Sequence, residues 1–350
     1  MTAIDDPVAG AAEVERVLLD VARLVRRSML DEIPDGEPGR WLYELARVYP
    51  SRPGKGLRPA LCLATCRAFG GTDADALPVA VAIELLHNAF LVHDDVADAS
   101  EQRRGQPTLF AAHGPGLALN AGDALAVLAN GVLRRHARRL DRGLADRVLE
   151  EFEVMALRTL EGQATELGWR DQGVVALTPE DYLELIMHKT CWYTTIHPLR
   201  VGALLGSGGT ADLRPMVGFG FHLGAAFQIR DDLLNLTGDV TKYGKEINGD
   251  LFEGKRTLVL LHLLSHATGD DHAVVADFAT RHRADRDDRD IARIRELIDR
   301  YGSIEFAAAY AQGIADEAAA SFELAFAGAQ PGPDVEFVRA LVPYMLGRTR

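Results

Sequence analysis

Apolar residues recur at intervals of three and four along almost the whole chain, and this periodicity constrains the fold more than any other feature. Such spacing places apolar side chains on one face of an α-helix, whereas the alternation typical of β-strands is scarce. The periodic segments are residues 14–25, 61–69, 77–96, 117–133, 144–167, 182–205, 216–236, 257–264, 291–298 and 306–326. No low-complexity linker or fixed-period repeat divides them. The pattern therefore predicts one all-α domain of long helices over residues 1–350.

Glycine and capping residues mark where several predicted helices begin and end. Gly70 and Gly71 end one helix, Thr178-Pro179 opens another with a cap followed by proline, and residues 206–209 close it. Residues 238–254 and 269–290 are rich in glycine or charge. We expect these two stretches to be irregular or mobile.

The charge balance argues against nucleic acid as a partner. The chain has 38 Lys and Arg against 51 Asp and Glu, a net charge of −13, whereas phosphate backbones need a broad basic face. No apolar run approaches the roughly 20 residues that span a bilayer, and the best candidate is interrupted by Asp123. The first residues are acidic, unlike a signal peptide, and the 3 cysteines form no disulfide framework. We expect no membrane span and a cytoplasmic location.

An acidic cluster follows the apolar helix predicted at residues 79–92. Asp94, Asp95 and Asp98 stand at i, i+1 and i+4, so Asp94 and Asp98 share a helix face. Carboxylates this close repel one another, and a divalent cation such as Mg²⁺, which commonly bridges carboxylates to a substrate phosphate, relieves the repulsion. The alternative is an acidic helix end that is simply solvated.

Basic residues near this cluster favour the metal interpretation. Arg103 and Arg104 follow the carboxylates, and guanidinium groups match phosphate oxygens with paired donors. Lys55 and Arg58 form a second basic group at a predicted helix start, where backbone N–H groups also favour an anion. Carboxylates, a metal and arginines within one short span suit a diphosphate better than a sugar or a peptide.

A second acidic pair ends another apolar helix. Asp231 and Asp232 are followed at i+4 by Asn235, which offers a neutral oxygen. Lys245 and Lys255 lie downstream among glycines that suit a loop closing over a ligand. Two carboxylate clusters on separate helices imply a cavity in which metals bind one diphosphate from both sides.

Five motifs, in this order, resemble those of the trans-isoprenyl diphosphate synthases. They are DDxxD at residues 94–98, RRGxPT at 103–108, KT at Lys189-Thr190, FQxxDD at 227–232 and a GKxT-like run at 254–257. The chain departs from the family at Pro53-Gly54-Lys55, where Gly-Gly-Lys is usual, and at Asn235, where an aspartate is usual. We expect Asn235 to cause a modest loss of metal-binding charge.

The resemblance implies an all-helical bundle around a central cavity, the isoprenoid synthase fold, usually as a homodimer. It implies condensation of isopentenyl diphosphate head to tail with an allylic diphosphate. Mg²⁺ would be bound by Asp94, Asp95 and Asp98 on one side and by Asp231 and Asp232 on the other. The allylic diphosphate would contact Arg103, Lys189, Lys245 and Lys255. Isopentenyl diphosphate would be held by Lys55, Arg58, His87 and Arg104.

The chemistry of ionisation agrees with this assignment. Metal and cations stabilise charge on the departing diphosphate, so the allylic C–O bond breaks into a carbocation. Three groups are candidates to stabilise that positive charge: the Lys189 carbonyl, Thr190 and Gln228. The resemblance suggests that released diphosphate accepts the final proton.

Product length is predicted to depend on the helix beneath the first acidic cluster. Ala89 and Phe90 lie five and four residues before Asp94, roughly 6 to 7.5 Å along the helix axis. A small residue there opens the pocket and a large one closes it. Leu85 and Leu86, about one turn further, form the next floor. We predict geranylgeranyl diphosphate as the main product, with farnesyl and geranylfarnesyl diphosphates as alternatives.

Two other functions fit the same scaffold. A terpene cyclase would ionise an allylic diphosphate without using isopentenyl diphosphate, but it has no need of Lys55, Arg58 and Arg104. A non-catalytic subunit would be expected to lose both acidic motifs. Here only one motif position departs from the usual aspartate, that of Asn235.

Overall fold

The computed structural model describes residues 7–238 and 247–347, and helices make up most of this part of the chain. The helices are α1 (Pro7–Glu32), α2 (Glu44–Ser51), α3 (Leu57–Ala68), α4 (Asp73–Ala97), α5 (Leu109–Ala137), α6 (Arg142–Asp171), α7 (Pro179–Ile186), α8 (His197–Gly206), α9 (Pro215–Thr237), α10 (Gly249–Glu253), α11 (Leu258–His266), α12 (Gly269–Thr280), α13 (Asp288–Arg300), α14 (Ser303–Ala325) and α15 (Pro333–Gly347). Within the described residues, strand pairing is confined to an antiparallel hairpin of β1 (Gln102–Arg103) and β2 (Gln106–Pro107).

The predicted all-α class is confirmed, and the ten periodic segments all fall in helices or at their caps. The predicted helix over residues 182–205 is not α-helical throughout, because its middle, Met187–Ile196, is a π-helix. A second, shorter π-helix, Gly39–Tyr43, precedes α2, and a 3₁₀ turn, Arg283–Asp285, precedes α13.

The prediction of irregular structure is wrong for much of residues 269–290. Helix α12 occupies Gly269–Thr280, with Val275, Phe278 and Ala279 buried. The exposed charged face concealed this short apolar stripe. Residues 238–254 are also partly helical, since α10 lies at their end, while residues 239–246 are outside the described part.

The helix boundary signals behave as expected from their chemistry. Thr178 accepts a hydrogen bond from the Asp181 N–H at 3.3 Å, and the Asp181 side chain accepts one from the Thr178 N–H at 2.8 Å. This reciprocal pair is a capping box and fixes the start of α7. Gly70 follows α3 with φ of 96°, a conformation that glycine adopts without steric cost.

Helix α4 lies at the centre of the larger core. Its buried residues occur on all sides of the helix, and it packs mainly against α5 and α3. A helix that is apolar all round must be enclosed by neighbours. The acidic cluster therefore emerges from the core at the C-terminal end of a largely buried helix.

Two helices are long and apolar enough to cross a membrane by length and composition alone. From the sequence we expect none, because no uninterrupted apolar run is long enough. The two helices are Asp73–Ala97 and Leu109–Ala137, which are α4 and α5. In α4, 67% of the most apolar window is buried within the protein, and in α5 only 39%. Helix α4 is thus a core helix, whereas α5 exposes apolar surface.

Candidate active site

The first acidic cluster lies at the C-terminal end of α4, where Asp98 is the capping residue. Asp95 is buried, accepts a hydrogen bond from the Tyr49 hydroxyl, and receives the Arg103 Nε and Nη2 atoms at 2.7 and 2.6 Å. Burial raises the pKa of Asp95, although Arg103 and the Tyr49 hydrogen bond act in the opposite direction. This direct contact fixes Arg103 beside the cluster.

Lys189 connects this cluster to α6. Its ammonium group forms an ion pair with Glu166 and lies 3.7 Å from Asp94 Oδ1. Gln163 donates a hydrogen bond to the same Asp94 oxygen at 3.2 Å. Lys189 thus stands between carboxylates of two helices, Asp94 of α4 and Glu166 of α6.

Lys255 connects the first cluster to the opposite side of the site. Its Nζ lies 3.5 Å from Asp98 Oδ2, 3.4 Å from Asp250 Oδ1 and 2.5 Å from Glu253 Oε2. Arg170 occupies the other oxygen of Asp98, at 2.6 Å. One ammonium group therefore joins the end of α4 to the carboxylates of the α10 region.

The second acidic cluster is organised by a chain of hydrogen bonds on α9. Thr190 donates to Gln228 Oε1 at 3.0 Å, and Gln228 Nε2 donates to Asp232 Oδ1 at 2.7 Å. The Tyr182 hydroxyl donates to the other oxygen of Asp232 at 2.8 Å. Burial, together with the nearby Asp250 carboxylate, raises the pKa of Asp232 well above its usual value. A cation placed here would relieve that penalty.

Asn235 has a structural contact that the sequence did not suggest. Its side-chain oxygen accepts a hydrogen bond from the Asp250 N–H at 3.1 Å, and its backbone carbonyl accepts one from the Asn248 N–H at 2.9 Å. Asn235 thereby ties the start of α10, and with it Asp250, to α9. The expected loss of metal-binding charge remains a prediction.

The π-helix Met187–Ile196 places two groups of predicted site residues on one segment. Lys189 and Thr190 face the acidic clusters, while Tyr193 and Thr194 contact Arg58. Gly162 of α6 allows the close approach, since a Cβ atom there would lie 2.2 Å from the Lys189 nitrogen. π-Helices are rare and are found frequently at functional sites.

A second group of cations lies around the start of α3. Arg58 donates to Thr194 Oγ1 at 2.9 Å, lies 3.4 Å from His87 Nε2, and its guanidinium stands 4.3 Å from the centre of the Tyr193 ring. Arg104 approaches the loop between α2 and α3, because a Cβ atom on Gly54 of that loop would lie 3.4 Å from the Arg104 Nη2 atom. The structure thus brings Arg58 together with His87, and Arg104 with the loop that carries the exposed Lys55.

The residues predicted to set product length lie along α4 below the acidic cluster. Leu85 and Ala89 are 0% exposed and Leu86 is 6% exposed. Phe90 points elsewhere, making an edge contact with the Tyr193 ring at 5.8 Å between centroids. Phe90 therefore packs next to the Arg58 group, whereas Ala89 belongs to the enclosed core.

The donor chemistry of the two clusters fits a hard divalent cation. Oxygen ligands from several carboxylates are those that Mg²⁺ and Ca²⁺ prefer. Among the described residues, no three His, Cys, Asp or Glu side chains already converge on one point, because Lys189, Lys255 and Arg170 lie between the carboxylates. Binding of a metal would therefore require these cations to exchange partners.

Several residues of this network were not predicted from the sequence. They are Tyr49, Arg52, Glu166, Arg170, Tyr182, Asp250 and Glu253. A signal existed for one group, since Gln163, Glu166 and Arg170 are spaced by three and four on α6 and so share a face. The predicted diphosphate contact Lys245 lies outside the described residues.

Comparison with known proteins places the chain among enzymes of prenyl chemistry. The family model described as Polyprenyl synthetase matches residues 39–298. A short chain isoprenyl diphosphate synthase of Methanothermobacter thermautotrophicus is 33% identical over 305 residues, which cover 85% of this chain and 89% of that protein. Other relatives are named for geranylgeranyl, farnesyl and geranylfarnesyl diphosphate synthases.

Solved structures agree in fold over nearly the whole chain. The crystal structure of geranylgeranyl pyrophosphate synthetase from Pyrococcus horikoshii has a TM-score of 0.84 and 31% identity, covering 96% of this chain and 99% of that chain. That of geranylgeranyl pyrophosphate synthase from Corynebacterium glutamicum, complexed with isoprenyl diphosphate and magnesium, has a TM-score of 0.83 and 25% identity, covering 95% and 99%. The predicted isoprenoid synthase fold is confirmed.

Proposed function

The chain belongs to the polyprenyl synthetase family, and we infer that it joins isopentenyl diphosphate head to tail to an allylic diphosphate with geranylgeranyl diphosphate as the main product. It is a short-chain prenyltransferase. The observation that carries the site assignment is the ammonium group of Lys255, which lies within 3.5 Å of both Asp98 and Asp250. Carboxylates from opposite sides of the site thus share one cation.

We propose that the allylic diphosphate binds between these carboxylates with magnesium. Asp94, Asp95 and Asp98 would hold it on one side and Asp231 with Asp232 on the other, and Asp250 adds a carboxylate to the second side. When bound, magnesium neutralises negative charge that develops on the departing diphosphate. The Corynebacterium relative was crystallised with magnesium and isoprenyl diphosphate, which supports this choice of metal.

The cations of the network are proposed to bind the same diphosphate. Lys189 and Lys255 would exchange a carboxylate partner for a phosphate oxygen, Arg103 would reach it from its fixed place on Asp95, and Lys245 would add a fourth contact. Lys189 and Lys255 are only 20% and 21% exposed, so their charges act in a partly desolvated site. Electrostatic stabilisation is stronger where water is excluded.

Isopentenyl diphosphate is proposed to bind the second cation group. Lys55, Arg58, His87 and Arg104 would hold its diphosphate without a metal. Arg58 is already oriented by Thr194 and the Tyr193 ring. Because guanidinium groups bind phosphate through paired donors, an oriented Arg58 places the substrate with little further ordering.

The reaction then follows from this placement. The allylic C–O bond breaks and its electrons leave on the diphosphate, and the isopentenyl double bond forms the new C–C bond to the allylic carbon. A proton is lost to restore the double bond, and the released diphosphate accepts it. The hydrogen-bonded Thr190 and Gln228, with the Lys189 carbonyl, would present oxygen dipoles to the positive charge. Apolar walls exclude water that would quench the cation.

Product length is proposed to depend on α4. Ala89 is fully buried and small, and its short side chain would let the growing tail pass beneath Asp94, with Leu85 and Leu86 as the floor one turn below. Phe90 packs against Tyr193 and limits the side next to Arg58. This arrangement supports geranylgeranyl diphosphate rather than the shorter farnesyl product.

We also propose that the chain is one domain that pairs as a homodimer through α5 and α6. These adjacent helices expose large apolar side chains: Leu119 at 43%, Val127 at 70%, Val154 at 37%, Leu157 at 56% and Leu160 at 52%. Several large exposed apolar side chains on adjacent helices support an interaction site there.

The proposed activity is tested by incubating the protein with Mg²⁺, isopentenyl diphosphate and each allylic diphosphate, followed by mass analysis. We expect a twenty-carbon diphosphate that requires isopentenyl diphosphate. A cyclic hydrocarbon formed from the allylic substrate alone would identify a cyclase, and no product with any substrate would identify a non-catalytic subunit.

A further inference from the structure

Arg52 follows α2 immediately before the loop that carries Lys55, and it is 8% exposed. Its Nη1 donates to the Arg103 carbonyl at 3.2 Å and its Nη2 to the Pro107 carbonyl at 2.6 Å. These carbonyls belong to the two strands of the β1–β2 hairpin. One guanidinium therefore links both strands from a position about fifty residues earlier in the chain.

The hairpin needs such a link because its turn is unfavourable. Arg104 and Gly105 form the two-residue turn with φ of 55° and 71°. Positive φ at both positions defines a type I′ turn, which favours Asn-Gly, and the left-handed conformation is unfavourable for a residue other than glycine. With only two residue pairs between its strands, the hairpin is too short to be stable alone.

The contact is reciprocal, since Arg104 Nη1 donates to the Arg52 carbonyl at 3.3 Å. The guanidinium of Arg52 also lies 4.8 Å from the centre of the Tyr49 ring. Within the described part of the chain, Arg52 forms no ion pair with a carboxylate. Burying an arginine for packing alone would be costly, whereas its planar fork suits two carbonyl acceptors.

We propose that Arg52 is a positioning residue for isopentenyl diphosphate, holding the 102–107 hairpin in the strained turn that aims Arg104 into the substrate's diphosphate site. This rests on the proposed function of Arg104. Arg103, on the same hairpin, has its own anchor on Asp95. Loss of Arg52 therefore affects the isopentenyl site more than the allylic site.

The test compares Arg52→Met, Arg104→Met and the double variant. Arg52→Met should raise the KM for isopentenyl diphosphate and its calorimetric dissociation constant about ten-fold, with the allylic KM changed less than two-fold. In the Arg104→Met background the same substitution should have almost no further effect, because residues acting through one another are not additive. Arg52→Lys, which keeps the charge but loses the fork, should show a smaller change with the same selectivity.

Arg147→Met is the matched control, since Arg147 also donates to a loop carbonyl, that of Gly209, away from the site. Arg147→Met should lower stability without raising the KM for isopentenyl diphosphate more than the allylic KM. Equal rises in both KM values, or additive effects in the double variant, would overturn the proposal. If the wild-type protein binds isopentenyl diphosphate but does not condense it, the proposed function is refuted. The dissociation constants of the Arg52 variants would then still test the positioning role. Unchanged binding in Arg104→Met would overturn the proposal with its premise.

Discussion

Replacing Lys255 by methionine should lower the stability of the metal-free protein and increase the stabilisation that magnesium provides. The Lys255 ammonium lies between Asp98, Asp250 and Glu253. In the proposed site a metal would bind some of the same oxygens. The lysine and the metal therefore compete, and removing the lysine leaves carboxylates that only another cation can balance.

The magnitude follows from the contacts. At 3.5 Å and an effective dielectric constant of about 20, one such pair corresponds to about 5 kcal/mol before desolvation is subtracted. Removing one partner of a buried pair costs about 3–5 kcal/mol in practice. Because the Lys255 side chain is 21% exposed and Arg170 still pairs with Asp98, we expect a loss of about 3 kcal/mol without metal.

Saturating Mg²⁺ should restore more stability to the variant than to the wild type. A ten-fold tighter metal site adds about 1.4 kcal/mol to the stabilisation that binding provides. The assay is urea unfolding followed by circular dichroism, in EDTA and in Mg²⁺. Arg158→Met, which removes one exposed positive charge from α6, is the control and should show no metal-dependent difference. If Mg²⁺ stabilises Lys255→Met no more than it stabilises the wild type, Lys255 and the metal do not compete for the same carboxylates.

Three further predictions use different regions. Ala89→Phe should shift products toward farnesyl diphosphate because the fully buried site lies beneath Asp94, and chromatography showing unchanged chain lengths would exclude α4 as the determinant. Burial lowers the pKa of His197 from 6.5 to about 4, so unfolding should become easier as pH falls through that range, by about 3 kcal/mol, and His197→Leu should lose this pH dependence in urea titrations. Val127→Glu, on the 70% exposed position of α5, should convert a dimer to a monomer in light scattering, and an unchanged mass would place the interface elsewhere.

The sequence predicted elements that depend on local chemistry. Helical periodicity located the core helices, and Thr178 with its following proline located a helix start because capping acts within one turn. It failed for α12, where the charged face hid a short apolar stripe that is buried only through tertiary contacts. The π-helix Met187–Ile196 had no local signal either, and its close approach to Gly162 of α6 is a tertiary contact.

The same distinction applies to the candidate site. Asp94, Asp98 and Asp231 were visible because acidic residues at helix ends are conspicuous in an apolar context. Asp250 is held by Asn235, fifteen residues earlier, and Arg52 by a hairpin about fifty residues later. Such partners come together by folding rather than by spacing. Sequence patterns therefore identified the groups proposed to touch substrate better than those that hold them in place.

The central claim is that both acidic clusters bind one diphosphate through magnesium. The most direct measurement is a crystal structure of the protein with Mg²⁺ and a non-reactive allylic diphosphate analogue. We predict metal bridging the analogue to Asp94 and Asp98 on one side and to Asp231 on the other, with Lys189 and Lys255 moved onto phosphate oxygens. Metal confined to one cluster, or a diphosphate bound away from both, would contradict the account.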